Sequence, residues 1–402
     1  MHPAARITMP YTVVLRRPYV GRLLGGSLIG RLPAAMAALA IALTLRQAGA
    51  DYATVGLVTG TFAVAQAIAG PLLGRCVDRL GQPKVLTASA IVASGGYAVL
   101  ALAPHSTALA FLGAVIAGAA TPPLEPCLRA LWPQLVEPRE LESAYSLDAG
   151  AQELLFIAGP LAVTGIAAAG SPQAALWVSA ALGLVGALVM STSEPSRSWA
   201  PAVRTPHWLG ALHSPALLLL ILGLAGAGLA VGSFNVFSVA YADSHHIPGG
   251  AGTLLALNAT GALIGAICYG TYGARHWPAT PARKAALLAF GMAASYWLVA
   301  LVPGPAGMAV VAVVTGVFFA PLLSVSFGMV GDLAPEGTVT EAFSWLVTLV
   351  GAGIAGGSAA GGSLLLHGGP SVAAVMGACG VTAGAALMLA GRRMFVTSPA
   401  QA

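Results

Sequence analysis

Long stretches of this chain carry no charge at all, and that limits its folds more than any motif does. Ala34 to Leu43, Val85 to Ala103 and Leu217 to Val231 are uncharged and mostly apolar, without alternation of apolar and polar positions. Charged residues make up 8% of the 402 and hydrophobic ones 57%, and the mean hydropathy is +0.84. Soluble domains carry about 25% charge, so water is excluded as the solvent for most of this surface. A bilayer offers backbone groups no hydrogen-bond partner, which leaves helices or a closed barrel as spanning structures. Barrel strands alternate and these runs do not. The chain reads as an all-α polytopic membrane protein.

At about 20 residues per crossing, twelve spans fit the sequence: 20–45, 52–74, 84–103, 106–130, 145–169, 172–191, 215–241, 250–274, 283–302, 306–331, 340–365 and 369–391. Proline and glycine turns such as Pro303-Gly304-Pro305 and Gly368-Gly369-Pro370 separate several of them. Lysine and arginine give the orientation. One set of connections holds Arg6, Arg16, Arg17, Arg22, Arg75, Arg79, Lys84, Arg129, Arg139, Arg197, Arg204, Arg275, Arg283, Lys284, Arg392 and Arg393, while the other holds only Arg46. By the positive-inside rule both termini are expected in the cytoplasm, which an even number of spans requires. A bacterial inner (cytoplasmic) membrane is the expected location. The longest polar interruption carries Glu194, Pro195, Arg197, Pro201, Arg204, Pro206 and His213. It divides the chain into a six-span bundle at 1–191, a cytoplasmic linker at 192–214 and a second six-span bundle at 215–402.

Several function classes drop out. The net charge of +5 comes from basic residues placed singly or in pairs between apolar spans, a topology pattern and not a nucleic-acid footprint. Cys76, Cys127, Cys268 and Cys379 show no CxxC spacing, and the histidines do not pair with carboxylates at ligand spacing, so neither disulfide nor metal is expected. Arg16-Arg17 leads into a span too long for the apolar core of a cleaved signal peptide. No Gly-x-x-x-x-Gly-Lys-Ser/Thr loop is present to bind a nucleotide. The expected partners are lipid and a small molecule, with no cofactor beyond a coupling proton, and the chain is expected to be monomeric.

The two halves repeat each other. At an offset of 196, Gly56 falls on Gly252, Gly74 on Gly270 and Arg79 on Arg275; at 198, Gly118 falls on Gly316, Pro123 on Pro321, and Ala144-Tyr145-Ser146 on Ala342-Phe343-Ser344. A six-span repeat keeps its orientation in both copies. Such parallel repeats create a pseudo-two-fold axis along the membrane normal, with a site at their interface.

Between the second and third spans stands Gly74-Arg75-Cys76-Val77-Asp78-Arg79-Leu80-Gly81-Gln82-Pro83-Lys84, read as a tight, glycine-hinged cytoplasmic loop. Its order, Gly-x-x-x-Asp-Arg-x-Gly-x-x-Lys, resembles the signature of the major facilitator superfamily. With the repeat and the linker, the likeness covers nearly the whole chain and implies a transporter fold of two six-helix bundles. Gly74, Asp78, Arg79 and Gly81 match the motif; Gln82 and Pro83 replace its usual basic residues, with Lys84 just beyond. The likeness implies that this segment clamps the halves against the start of the eleventh span, in an Asp78–Arg79–Glu341 cluster. A carboxylate suits the electropositive N-terminus of a facing helix. Two proton-antiporter motifs are missing. Ala114 stands four residues before Gly118, where an arginine is usual, and the fifth-span motif survives only as Gly159-Pro160, with Leu155, Val163 and Thr164 at its other places. The stretch from Asp148 to Pro160, with Glu341-Ala342-Phe343, is similar to twelve-helix bacterial permeases.

Ionisable residues at membrane depth cost at least about 2.5–3.5 kcal/mol on insertion scales and invite a functional role. Arg31 in the first span and Glu153 in the fifth lie at comparable depth, with Asp148 nearer the cytoplasm. The resemblance implies that spans one and five are neighbours, so an Arg31–Glu153 pair is expected. It would be either a structural bridge or a site in which Arg31 holds an anionic or polar substrate group and Glu153 takes up a proton when substrate displaces Arg31. Glu125 and Arg129, four residues apart, read as a local ion pair. Gln66, Gln152, Asn235 and Asn258 are the remaining polar candidates for a central cavity, with Phe234, Phe237, Phe318, Phe319 and Trp345 as aromatic walls. The expectation is secondary transport of a small organic molecule, with efflux as the first reading and proton-coupled uptake as the second. A membrane enzyme or sensor would need a catalytic cluster or soluble domain that the chain does not show.

Overall fold

The computed structural model describes residues 10–200 and 207–395. Arg6, Pro201, Arg204 and Pro206, assigned above to the cytoplasmic face, lie outside the described residues, as does the side chain of Arg275. Twelve long helices follow one another. They are α1 Val20–Gln47, α2 Tyr52–Leu80, α3 Gln82–Leu102, α4 Thr107–Leu135, α5 Leu141–Ala169, α6 Pro172–Ser191, α7 Pro215–His245, α8 Ala251–Gly273, α9 Pro281–Ala300, α10 Pro305–Leu333, α11 Val339–Leu365 and α12 Gly369–Arg393. Eleven are long and apolar enough to cross a membrane. The twelfth, α9, has the same 20-residue length as α6, but Arg283 and Lys284 in its first turn and Tyr296 and Trp297 near its end lower its apolarity. Among the described residues there is no strand. The chain is a multi-pass membrane protein.

Local sequence sets the helix ends. Asp51, Ser106, Ser171, Ser214 and Thr280 each precede a helix, and their side-chain oxygens accept from the free N–H of its first turn. Inside α4, Pro122-Pro123 interrupts the helix between Ala119 and Leu124. Between α11 and α12 the backbone breaks at Gly369, with φ 75°. The boundary that differs most from the sequence reading is the end of the second span. The segment from Gly74 to Leu80 is the last two turns of α2 and not a loop, because nothing in it breaks a helix until Gly81, whose φ of 86° turns the chain directly into α3.

The repeat shows in the packing. A Cβ on Gly186 of α6 would strike the backbone of Gly30 in α1, and one on Gly226 of α7 would lie 3.2 Å from Cα of Gly384 in α12. Likewise Gly118 of α4 packs on the Phe62 carbonyl of α2, and Gly316 of α10 on the Asn258 carbonyl of α8. Both contacts recur at the offsets found in the sequence. In lipid, such close backbone approach supplies the dispersion contact that holds helices together.

The end of the bundle that carries Arg79, Lys84, Arg139, Arg283 and Arg392 is called the basic end here. There one continuous apolar cluster joins the halves, through Trp132 and Tyr145 of the first and Phe327 and Phe343 of the second. Toward the other end the first half has a core of its own, built from Met36, Ile41, Phe62, Tyr97 and Leu176. The molecule is therefore closed at the basic end and parted beyond it.

Candidate functional site

Two seams close the basic end. Along the first, α2 and α11 run antiparallel in register. Thr348 donates to the Ala67 carbonyl at 3.2 Å, a Cβ on Gly70 would lie 3.4 Å from Thr348 Oγ1, and one on Gly74 would strike Ser344 and come within 2.9 Å of the Thr340 carbonyl. Only glycine admits that approach. One turn on, Asp78 is buried and accepts from the backbone N–H of Thr340 at 3.1 Å and of Glu341 at 2.8 Å. Its carboxylate thus satisfies donors that the first turn of a helix leaves open and sits at the positive end of its dipole.

The cation in this cluster is Arg75, not Arg79. Arg75 Nη2 donates to the fully buried Glu341 Oε1 at 2.6 Å, whereas Arg79 is exposed. Register explains the correction: Glu341 lies level with the turn of α2 that carries Arg75, and Arg79 comes level with Val339, where α11 begins. Gly210 of the linker, at φ +57°, covers the pair; a Cβ there would come within 2.6 Å of Arg75 Nη2. Lys84 is exposed, and Gln82, found where a basic residue is usual, is buried and donates to the Cys127 carbonyl at 3.2 Å.

The second seam joins α5 to α8 and α9. Lys284 of α9 donates to both oxygens of Glu142 at 2.9 Å, and the Tyr269 hydroxyl donates to Glu142 Oε2 at 2.9 Å. Ser143 and Ser146 donate to the Gly270 and Ala266 carbonyls, each at 2.8 Å, and Tyr11 reaches Ala266 at 2.6 Å. Sequence reasoning missed this seam. Its signal was faint, a Glu and a Lys far apart in the chain, each at the basic end of its own helix.

Between the seams lies a buried charge network. Asp148, fully buried, accepts from Arg31 Nη1 and from Arg129 Nε, both at 2.8 Å. Glu125 faces the same two guanidinium groups, Arg129 Nη2 at 2.5 Å and Arg31 Nη2 at 3.3 Å. The expected Arg31–Glu153 pair is absent. Helix rotation is the reason: Asp148 and Gly159, eleven residues apart, share the face of α5 that packs on α1, where Gly159 touches Ala35, and Glu153 points well away from it. Glu125–Arg129 pairs as expected, but as half of a four-membered network. Arg129 also lies over the Phe327 ring at 3.5 Å, and Tyr145, Phe327 and Phe343 form a cross-half aromatic group with centroids 5.9–6.4 Å apart. The network of the first half is thus in direct contact with the second.

Glu153 stands where the halves part. Glu142, Ser146 and Gly150 form one stripe of α5; Ser146 bonds Ala266 of α8, and a Cβ on Gly150 would lie 3.1 Å from Ala266 Cβ. Glu153 is next on that stripe, about 18 Å along α5 at 1.5 Å per residue. One turn further, Ile157 and Pro160 are exposed. Among the described residues, Glu153 has no hydrogen bond or ion pair; the Tyr296 hydroxyl lies within its electrostatic reach. Gln66 is the equivalent on α2, one turn beyond Gly70 on the face that meets α11, and Gln152 Oε1 is buried without a donor. Asn235 of α7 is half-buried. Asn258 is engaged elsewhere, donating to the Ala312 carbonyl at 3.2 Å and to Thr315 Oγ1 at 3.0 Å, which ties α8 to α10. Phe234 and Phe237 are buried with Tyr296 and Tyr241, and the Trp345 indole nitrogen is buried without an acceptor. Among the described residues no group of three or more His, Cys, Asp or Glu could hold a metal.

A family model described as Major Facilitator Superfamily matches residues 23–305. The chain belongs to the major facilitator superfamily. Similar solved structures include a bacterial homologue of the iron transporter ferroportin in an outward-facing state, with TM-score 0.74 and 16% identity over 92% of this chain and 98% of that one. They also include the E. coli fucose:proton symporter, at TM-score 0.72 and 16% identity over 95% and 100%, and a human organic anion transporter, at 0.63 and 16% over 98% and 100%. At such identities they establish the fold alone. No curated protein matches the sequence. The family and the fold make this chain a membrane transporter.

Proposed function

We propose that the chain is a proton-coupled secondary transporter that exports a small organic molecule by alternating access, acting as a monomer in the bacterial cytoplasmic membrane. The observation that carries this reading is the position of Glu153, a carboxylate without a protein partner on the floor of the parted region, directly above the seams. The excess of arginine and lysine at the closed end supports placing that end, with both termini, in the cytoplasm. The parted end then faces outward, and Glu153 meets protons arriving from outside.

The count of free groups supports export. With Arg31, Arg129, Glu125 and Asp148 mutually engaged, Glu153 is the carboxylate left in this region, among the described residues, to serve both proton and substrate. Two ligands that compete for one group move in opposite directions, so an inward proton gradient drives outward substrate movement. Symport would need a substrate that binds without displacing the proton from Glu153. The test is a thermal-shift screen of a small-molecule library on the purified protein, followed by flux of any hit in proteoliposomes. Glu153→Gln is expected to abolish pH-driven flux, while leaving the protein folded. Normal, pH-dependent flux in that variant would remove the proton role.

A further inference from the structure

We infer that the molecule carried is a monovalent organic cation, an ammonium compound with an apolar body, bound with its charge against Glu153; this rests on the transport reading above. The inference comes from charge accounting. Each guanidinium of the buried network contacts both carboxylates, at 2.8 and 3.3 Å for Arg31 and at 2.8 and 2.5 Å for Arg129. Two positive and two negative groups close on themselves. Arg31 therefore offers no free charge to an anion, which reverses the substrate sign that an isolated Arg31 implied.

What remains on the floor is a set of acceptors. Glu153 has no ion-pair partner among the described residues, and Gln152 Oε1, on the neighbouring position of α5, is buried without a donor. Among the described residues, the elements around α5 supply no free cation to neutralise Glu153. From α1 and α4 come Arg31, Glu125 and Arg129, all engaged; from α9 comes the neutral Tyr296 hydroxyl; Lys284 is held by Glu142 three turns away, toward the basic end. The donor nitrogens left over on Arg31 and Arg129 belong to the neutral network, and Trp345 adds one uncharged donor on α11. A desolvated carboxylate without a partner is costly. An anionic ligand would raise that cost, and a neutral one would leave the carboxylate to be neutralised by its proton. An ammonium group removes it, and the Phe234–Tyr296 pair places aromatic surface nearby, which favours a cation further.

Because the carboxylate holds either one proton or one monovalent cation, exchange is electroneutral. The proton leaves the Glu153 carboxyl as the ammonium group arrives, and the reverse occurs on the other side. A pH gradient alone then drives flux, and a membrane potential alone does not.

The experiment measures binding of benzylamine and tetraphenylphosphonium, with benzoate as the anionic control, to the purified full-length protein by calorimetry. Both cations are expected to bind saturably at about pH 8 and about twofold more weakly near pH 4.5, where an ordinary carboxylate is close to half protonated. Glu153→Gln should weaken them at least tenfold and Glu153→Asp much less; Gln152→Leu, which keeps the charge, should fall between. Preferential binding of benzoate, no binding of either cation, or equal cation binding by Glu153→Gln would overturn the assignment. A parallel distance measurement between labels on the two halves separates the two readings. If the cations fail while the halves still populate two arrangements, only the substrate class falls. If the halves hold one fixed arrangement, the transport reading falls with it.

Discussion

The seam between α2 and α11 and the seam between α5 and α8 close the same end of the molecule by different means. The first is a backbone contact. Glycine at 74 lets two helices touch, and one carboxylate, Asp78, takes two N–H groups at the start of α11. Its strength depends on an undistorted helix terminus and on the absence of a single Cβ. The second is a side-chain contact, made of serine and tyrosine hydroxyls and of Glu142 shared by Lys284 and Tyr269. Hydroxyls and long cationic side chains adapt; a helix N-terminus does not. On the proposed reading the α2–α11 seam is a switch with two states, and the α5–α8 seam a compliant hinge below the proposed ion site. At the offset of 196, Ala274 stands where Asp78 does, so the second half has no equivalent carboxylate.

Four substitutions, with Gly150→Ala as a counterpart to the second, separate the seams in order of expected effect. Asp148→Ala leaves two buried guanidinium groups to share Glu125 alone, and breaking a buried pair in this way costs about 3–5 kcal/mol. A large drop in thermal midpoint and in folded yield is the expected result. Gly74→Leu comes next. Its side chain cannot fit against Thr340 and Ser344, so labelled-pair distances should show the basic end opened more than tenfold relative to wild type. The counterpart Gly150→Ala should change it far less, since its Cβ meets only side-chain methyls, of Ala266 at 3.1 Å and Leu263 at 3.8 Å. Asp78→Asn keeps one acceptor and loses the charge at the helix terminus, an effect of about 1–2 kcal/mol, or roughly a 5–30-fold change in conformer ratio. Lys284→Met should do least, under about 1 kcal/mol, because Glu142 is partly exposed and retains Tyr269. If Lys284→Met opened the basic end more than Asp78→Asn, the assignment of switch and hinge would be reversed.

Much of the fold was legible because each feature was local or periodic. Uncharged runs identify helices, Ser, Thr and Asp mark their starts, and the offsets of 196 and 198 reappear as paired glycine contacts. The site was legible only in part. Glu125–Arg129 obeys helix spacing and was readable; Arg31 was assigned the wrong partner because depth alone does not distinguish Asp148 from Glu153. Helix rotation does, and the clue was present, since Asp148 and Gly159 lie eleven residues apart on one face. The expectation of Arg79 in the cluster fails for a similar reason. Treating Gly74–Lys84 as a loop discarded the helical periodicity that places Gly74, Arg75 and Asp78 on one side of α2. The Phe327–Arg129 contact joins residues about 200 positions apart and has no sequence signal of its own.

The central claim is that the two ends open in turn and that the α2–α11 seam governs the exchange. Spin labels at Arg79 and Glu336 report the basic end, and labels at Arg46 and Asp243 the opposite end; all four positions are exposed. Measured in a cysteine-free background, each pair should give two distances whose populations are opposed, and Asp78→Asn should lengthen the first while shortening the second. Two pairs that stay fixed, or that lengthen together, would contradict it.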